Sequence, residues 1–185
     1  MRLAKFIGRL WGNRVGNRLV EEIVADVKAG KHLQSKPNPK SGALEIVGER
    51  IRYQSEDYGS WELPLAEIKV VGEYTSDNGP YIDDWFLVLV TGDDQWVEAS
   101  NYCGGQEEAR EALVRRFGME SLWGKLWGST EFASRVLAPS HLAGQPLFEF
   151  QEVPQSVWTT IKRFGLKTLA KDLTPPVLEH INSLV

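Results

Sequence analysis

The feature that most constrains this chain is an uninterrupted apolar run at residues 85–90, with the sequence WFLVLV. A run of this length without alternation is typical of a strand that is buried on both faces. Segments with alternating apolar residues lie on either side of it, between residues 61 and 99. We therefore expect a sheet in the middle of the chain, with other elements covering it.

Residues 43–118 predict six antiparallel strands followed by one helix. Apolar and polar residues alternate in most of these strands, and turn-forming residues separate them. Gly48 stands at the first central position of the first hairpin, as a type II′ turn requires, and Pro64 indicates an edge strand. The predicted strands cover residues 43–47, 50–55, 61–65, 67–75, 84–91 and 95–99, and the helix covers residues 106–117.

This run of strands closed by an amphipathic helix resembles the pleckstrin-homology-like fold, in particular its small bacterial members. The resemblance covers residues 43–118 and rests on pattern and order, with six strands where that fold has seven. It implies an antiparallel sheet or partly open barrel closed by a helix. Lipid-binding members carry basic residues on the first hairpin loop, which here is Gly48-Glu49. The resemblance therefore implies peptide or protein recognition rather than phosphoinositide binding.

We divide the chain into a basic helical arm with a linker, a strand-rich domain, and a mostly helical extension packed on that domain. These regions cover residues 1–42, 43–118 and 119–185. The pattern of the extension predicts a helical turn, an extra strand and two helices, at residues 131–137, 147–150, 156–173 and 177–184. The predicted fold class is therefore α+β, with helical extensions at both ends.

The net charge of −4 is unevenly distributed along the chain. Residues 1–40 carry nine basic and three acidic side chains, which leaves twelve basic and twenty-two acidic side chains in the remainder. An acidic body disfavours nucleic-acid binding, because phosphate contacts dominate that affinity. A single cysteine, no credible signal sequence and no apolar run near the roughly 20 residues of a membrane span favour a cytoplasmic protein.

Residues 1–11 predict a short basic amphipathic helix. Arg2, Lys5 and Arg9 share one side of a helical wheel, and Phe6 and Trp11 lie on the apolar side. Such a helix can lie in the interface of an anionic membrane, or it can dock on the domain. Peripheral membrane association therefore stands as an alternative function and an alternative localisation.

The tripeptide LWG occurs three times, at residues 10–12, 122–124 and 126–128. The spacing between the second and third copies is far too short for a repeat architecture. The copies are explained by coincidence, or by tryptophan packing beside a glycine where the backbone comes close.

No sequence motif specifies a chemistry. The chain has no nucleotide-binding glycine loop, no nucleophile elbow and no paired metal-ligand spacing among His32, His141 and His180. Cys103 precedes a predicted helix N-terminus, which lowers thiol pKa values, and with His141 it could act as the nucleophile of a hydrolase-like enzyme. A lone cysteine is more often a small buried residue. We therefore favour a function without catalysis, and we expect neither metal nor cofactor.

Three carboxylates and three aromatic residues are predicted to meet at one end of the central strands: Glu73, Tyr74, Tyr81, Asp83, Asp84 and Trp85. The carboxylates could serve acid–base catalysis, although acids near turns more often protect strand ends. An acidic rim around aromatic rings also suits a partner contact. We predict that this group binds a basic protein partner, as in an adaptor or an inhibitor. The sequence leaves the oligomeric state open.

Overall fold

The computed structural model describes residues 39–76, 83–127, 129, 131–152 and 169–184, and the structural statements below concern these residues. They form nine strands and two α-helices, so the predicted α+β class is confirmed. The strands pair antiparallel in three sheets. Within the described residues these sheets do not close into a barrel.

The first sheet has the strand order β1–β2–β3 and begins with the predicted hairpin. β1 spans Ala43–Val47, β2 spans Arg50–Ser55 and β3 spans Gly59–Pro64. Gly48 has a φ of +60°, which glycine adopts without strain at the first central position of the turn. β3 lies at an edge of the sheet, which agrees with the prediction from Pro64.

The central sheet has four strands in the order β6–β5–β4–β7. β4 spans Val70–Thr75, β5 spans Trp85–Gly92, β6 spans Gln95–Ser100 and β7 spans Ala133–Ala138. The six apolar residues 85–90 of β5 are all buried, so the prediction of a strand covered on both faces is confirmed.

Two hydrophobic cores lie on opposite faces of the central sheet. One core contains Leu87 and Leu89 of β5 together with residues of the first sheet and of helix α1, Gln106–Phe117. We name this side of the sheet the α1 face. The other core contains Phe86 and Val88 of β5, and we name it the α2 face.

The α2 face is covered by a third sheet and a short helix. β8, Phe148–Glu152, pairs with β9, Leu169–Leu173, and helix α2, Pro175–Ser183, follows directly. Leu147 and Val177 are fully buried in this core. The predicted extra strand and last helix are therefore present, and the helix begins at the two prolines because proline suits a first helical turn.

Two predictions for the extension are wrong. Residues 133–137, predicted as part of a helical turn, belong to strand β7, because the second edge of the buried strand β4 needs hydrogen-bond partners. Residues 169–173, predicted as the end of a helix, form β9, and residues 153–168 lie outside the described part. The described extension thus has three strands and one helix rather than mostly helix. The division into three regions stays a prediction.

Candidate interaction site

Two of the predicted acidic residues come together at the start of β5. Asp83 and Asp84 are half-buried, and each carboxylate accepts a hydrogen bond from a hydroxyl group. Ser100 Oγ donates to Asp83 Oδ2, and Tyr102 OH donates to Asp84 Oδ1 at 2.7 Å. The pairing of β5 with β6 brings these groups together, since Phe86 lies opposite Ser100. Both carboxylates are therefore held at one end of the central sheet.

Tyr58 joins this group from the turn between β2 and β3. It is 37% exposed, and its ring meets the edge of the Phe86 ring with the two centroids 5.4 Å apart. Burial and the charge of Asp83 raise the pKa of Tyr58 to about 12. Burial and the hydrogen bond to Asp84 also raise the pKa of Tyr102, so both phenols are uncharged at neutral pH. We name one set of residues the acid–tyrosine cluster: Tyr58, Asp83, Asp84, Ser100 and Tyr102.

Three other residues of the predicted site do not lie on the surface. Glu73 is fully buried, and Tyr74 and Trp85 are only 8% and 5% exposed. These side chains do not form the exposed patch that the sequence predicts, because both faces of the central sheet are covered. Tyr81 lies outside the described residues. A binding role for the predicted group stays a prediction.

Glu73 instead anchors a loop on the α1 face. Trp85 Nε1 donates a hydrogen bond to Glu73 Oε2 at 2.8 Å. The backbone N–H of Lys125 donates to Glu73 Oε1 at 2.6 Å. A buried carboxylate needs such donors, because burying even an uncharged polar group without a hydrogen bond costs about 2–7 kcal/mol and burying an ionised carboxylate costs more.

Arg110 of α1 anchors the same loop from the other side. Its Nη1 donates to the backbone oxygen of Leu122, and its Nη2 donates to Asn101 Oδ1, each at 2.5 Å. Burial lowers the pKa of Arg110 to about 10, and the negative charge of Glu73 opposes that shift. The guanidinium therefore stays protonated at neutral pH. We name these residues the Glu73 network: Glu73, Trp85, Asn101, Arg110, Leu122 and Lys125.

Gly124 allows the loop to approach this network closely. A Cβ atom at this position would lie 2.3 Å from Glu73 Oε2 and 2.5 Å from Trp85 Cζ2. This agrees with the interpretation of LWG at residues 122–124 as a close approach of the backbone. The same loop leaves Trp123 and Trp127 38% and 43% exposed.

The loop and the acid–tyrosine cluster are neighbours through Trp85. One side of the Trp85 ring lies under Gly124, and the ring meets the edge of Tyr102 with centroids 6.3 Å apart. The loop that carries the exposed rings of Trp123 and Trp127 is therefore connected to the cluster through the buried Trp85 ring. This arrangement suits contact with a partner that carries both cationic and apolar side chains.

Three residues described above are not among those predicted from the sequence: Tyr58, Tyr102 and Arg110. Strand register gives a signal for Tyr102, because a residue just beyond the end of β6 must lie beside the start of β5. Helix spacing gives a signal for Arg110, which lies three residues before the buried Leu113 and thus on the same side of α1. Tyr58 lies in a turn, where no periodicity applies.

The proposed nucleophile Cys103 is buried, with 4% exposure. Gln106 Nε2 donates a hydrogen bond to its Sγ at 3.2 Å, and burial raises the pKa of the thiol to about 11. The prediction of a lowered pKa at a helix N-terminus is therefore wrong for this thiol. The ring of His141 lies against that of His180, with centroids 4.8 Å apart. These contacts give the nucleophile hypothesis no support.

The described residues contain no group of three or more His, Cys, Asp or Glu side chains that could hold a metal ion. No helix in this part of the chain is long and apolar enough to cross a membrane. Residues proposed for a membrane or anionic surface lie outside the described part: Arg2, Lys5, Phe6, Arg9 and Trp11.

No protein-family model, no curated protein and no solved structure matches this chain. The function proposed below therefore depends on the chemistry of the site, since a fold alone does not specify function.

Proposed function

We propose that this chain is a non-catalytic protein-interaction module and that its acid–tyrosine cluster binds a basic partner. The observation that carries the proposal is the convergence of Asp83 and Asp84 with Tyr58 and Tyr102 at one end of the central sheet. Carboxylates that are already oriented by hydroxyl donors need little reorganisation when a cationic side chain binds. Tyrosine suits such a contact, because its ring is apolar while its hydroxyl forms hydrogen bonds.

The surroundings of the cluster support the same partner chemistry. Beyond residue 40, acidic side chains outnumber basic ones by twenty-two to twelve, which would attract a basic partner over a distance. The exposed rings of Trp123 and Trp127 offer apolar area on the neighbouring loop. Tryptophan and tyrosine are the residues on which interfaces most often depend for affinity.

We also propose that residues 43–118 form a pleckstrin-homology-like core. The proposal is supported by the order of the elements, which is six antiparallel strands followed directly by α1. The resemblance to this family depends on that order. The turn of the first hairpin, Gly48-Glu49, has no basic residue, which favours a protein ligand over a phosphoinositide within this family.

The proposal is tested by neutralising the cluster without changing its shape. The variant D83N/D84N removes both charges, and D93N/D94N is a matched control with the same change of charge. Asp93 and Asp94 are exposed in the turn at the opposite end of β5, where the left-handed φ of +53° at Asp94 also suits asparagine. Each protein is used as bait in a lysate of the native host, and captured proteins are quantified by mass spectrometry.

We expect D83N/D84N to capture at least one basic partner roughly tenfold less, or weaker still, than the wild-type chain does. Charges at an interface accelerate association, so removing two of them reduces the amount captured. The control should keep that partner at the wild-type level. Equal loss from both variants would indicate a general charge effect and would refute the site. Full retention by D83N/D84N, with an unchanged circular dichroism spectrum, would refute the proposal.

The membrane alternative depends on the basic amphipathic pattern of residues 1–11. It predicts that the full chain floats with vesicles containing anionic lipid and that R2Q/K5Q/R9Q does not. Charge neutralisation at three sites weakens surface attraction by about 1 kcal/mol per residue. Flotation that is unchanged in this variant would exclude the alternative.

A further inference from the structure

On the α2 face, the ammonium group of Lys171 lies against two aromatic rings. Its Nζ is 4.1 Å from the centroid of the Tyr74 ring and 5.6 Å from that of the Phe148 ring. Both distances lie within the range in which a ring attracts a cation. The same Nζ donates a hydrogen bond to Glu98 Oε1. We name Tyr74, Glu98 and Phe148 the ammonium cage.

The cage is open to solvent on one side. The side chains of Lys171 and Glu98 are 20% and 27% exposed. By contrast, Tyr74 and Phe148 are 8% and 3% exposed. The aromatic walls are thus fixed in the core, while the cation and the carboxylate can be reached from outside.

Glu98 and Tyr74 are held by contacts that do not involve Lys171. Tyr74 OH donates to Glu98 Oε2 at 2.7 Å, and Trp96 Nε1 donates to Glu98 Oε1 at 2.9 Å. The Tyr74 ring is stacked on that of Phe86, with centroids 5.1 Å apart. The carboxylate therefore keeps two uncharged donors when the ammonium leaves.

Phe148 is also held by contacts that do not involve Lys171. Its backbone N–H donates to Ser134 Oγ at 2.8 Å, and Ser134 Oγ donates to its backbone oxygen at 3.1 Å, which ties β8 to β7. Its ring lies against Trp96, with centroids 5.2 Å apart. Because the walls and the carboxylate are preorganised, exchanging one ammonium group for another costs little reorganisation.

We propose that the ammonium cage is a binding site for a primary alkylammonium group, and that a partner's lysine side chain competes for it with Lys171. The rings attract any cation, but Glu98 accepts a hydrogen bond that only an ammonium with N–H groups donates. The site therefore favours a primary over a quaternary ammonium. Lys171 belongs to the same chain, so its ammonium group has an effective concentration of roughly millimolar order at the cage. An external ammonium group must be present at a higher concentration to displace it. The acid–tyrosine cluster is not involved.

The experiment empties the cage in the full chain with K171A. The matched control is K125A, since Lys125 has an exposed side chain and uses only its backbone N–H to bind Glu73. Each protein is titrated with ethylammonium, tetramethylammonium or ethanol. Thermal unfolding gives the midpoint temperature, and NMR follows the indole N–H of Trp96.

We expect ethylammonium to raise the unfolding midpoint of K171A by several degrees more than that of K125A, in a saturable manner. Tetramethylammonium should have a smaller effect and ethanol none, and the Trp96 indole signal should move only with the ammonium compounds. The double variant K171A/E98Q should lose the effect. Equal responses to ethylammonium and ethanol in folded K171A would overturn the proposal.

Competition is tested on the wild-type chain with ¹³C-labelled lysine. A lysine derivative that is blocked at its α-amino and carboxyl groups should shift the Lys171 side-chain resonance once its concentration exceeds the millimolar range. An unchanged resonance would overturn the proposal. If K171A does not fold, this titration on the wild-type chain decides the question.

Discussion

The α1 face and the α2 face of the central sheet each contain one carboxylate, and the two differ in how their charge is compensated. Glu73 is fully buried and accepts hydrogen bonds from two uncharged groups, with the charge of Arg110 nearby. Glu98 is partly exposed and binds the ammonium of Lys171 directly, together with two uncharged donors.

The difference teaches what each site can do. A fully buried carboxylate must have all its partners in place at all times, because losing one leaves a charge without water or protein to compensate it. The Glu73 network therefore fixes a loop. A carboxylate that solvent reaches can lose its cation at a smaller cost. The ammonium cage can therefore exchange its ligand, whereas the Glu73 network cannot.

The largest expected effect comes from removing Glu73. The variant E73A removes the carboxylate that accepts hydrogen bonds from Trp85 Nε1 and the Lys125 N–H, and it removes a negative charge near the buried Arg110. We expect the free energy of unfolding to fall by about 3–5 kcal/mol, measured by urea denaturation. E149A, which removes an exposed glutamate from β8, serves as the control and should change little. A loss below about 1 kcal/mol in E73A would remove the contrast between the faces.

An intermediate effect is expected from filling the space at Gly124. In G124A the added methyl group would lie against Glu73 Oε2 and Trp85, so the loop must shift and strain the hydrogen bonds of the network. We expect a destabilisation of about 1–3 kcal/mol in the same assay. G104A is the matched control, since its nearest contact would be an ordinary one, 3.8 Å from the Cβ of Ala43. Equal stability of the two variants would contradict the close packing at Gly124.

The smallest effect is expected from removing Glu98. In E98A the hydroxyl of Tyr74 and Nε1 of Trp96 lose an acceptor, but the ammonium of Lys171 keeps the Tyr74 ring and reaches water, so we expect a loss of about 1–2 kcal/mol. This loss should shrink in roughly 1 M salt, because an ion pair open to solvent is screened, while the loss in E73A should not change. Urea denaturation at low and high salt measures both. A loss in E98A as large as that in E73A would show that exposure does not distinguish the two carboxylates.

Residues 43–118 could be predicted from the sequence because local signals agreed with the fold. Three local patterns each predict the correct element. They are the alternation of apolar residues in β2, the continuous apolar run of β5 and the acidic start and basic end of α1. β7 could not be predicted, since the spacing of Phe132, Val136 and Leu137 suits a helix and only the distant β4 makes it a strand. Pairing over such a distance leaves no local pattern.

The candidate site was predicted in part. Asp83 and Asp84 lie at the end of the central strand as expected, because they directly precede β5 in the sequence. The predicted acidic and aromatic patch places Glu73 at the surface, whereas every residue of β4 is buried. β4 is buried along its whole length because it pairs with β5 at one edge and with β7 at the other and because both of its faces are covered, and no local pattern around Glu73 indicates this.

Strand β4 also has a consequence for how the protein is made. Its second edge pairs with β7, which leaves the ribosome roughly 60 residues later, a delay of several seconds at about 5–20 residues per second. During that delay the nascent polypeptide presents a strand edge with unpaired backbone groups to its surroundings, and such an edge is a template for mispairing with other chains. We expect yield in cells to depend on chaperones that bind the chain co-translationally, and a polypeptide ending at residue 118 to aggregate.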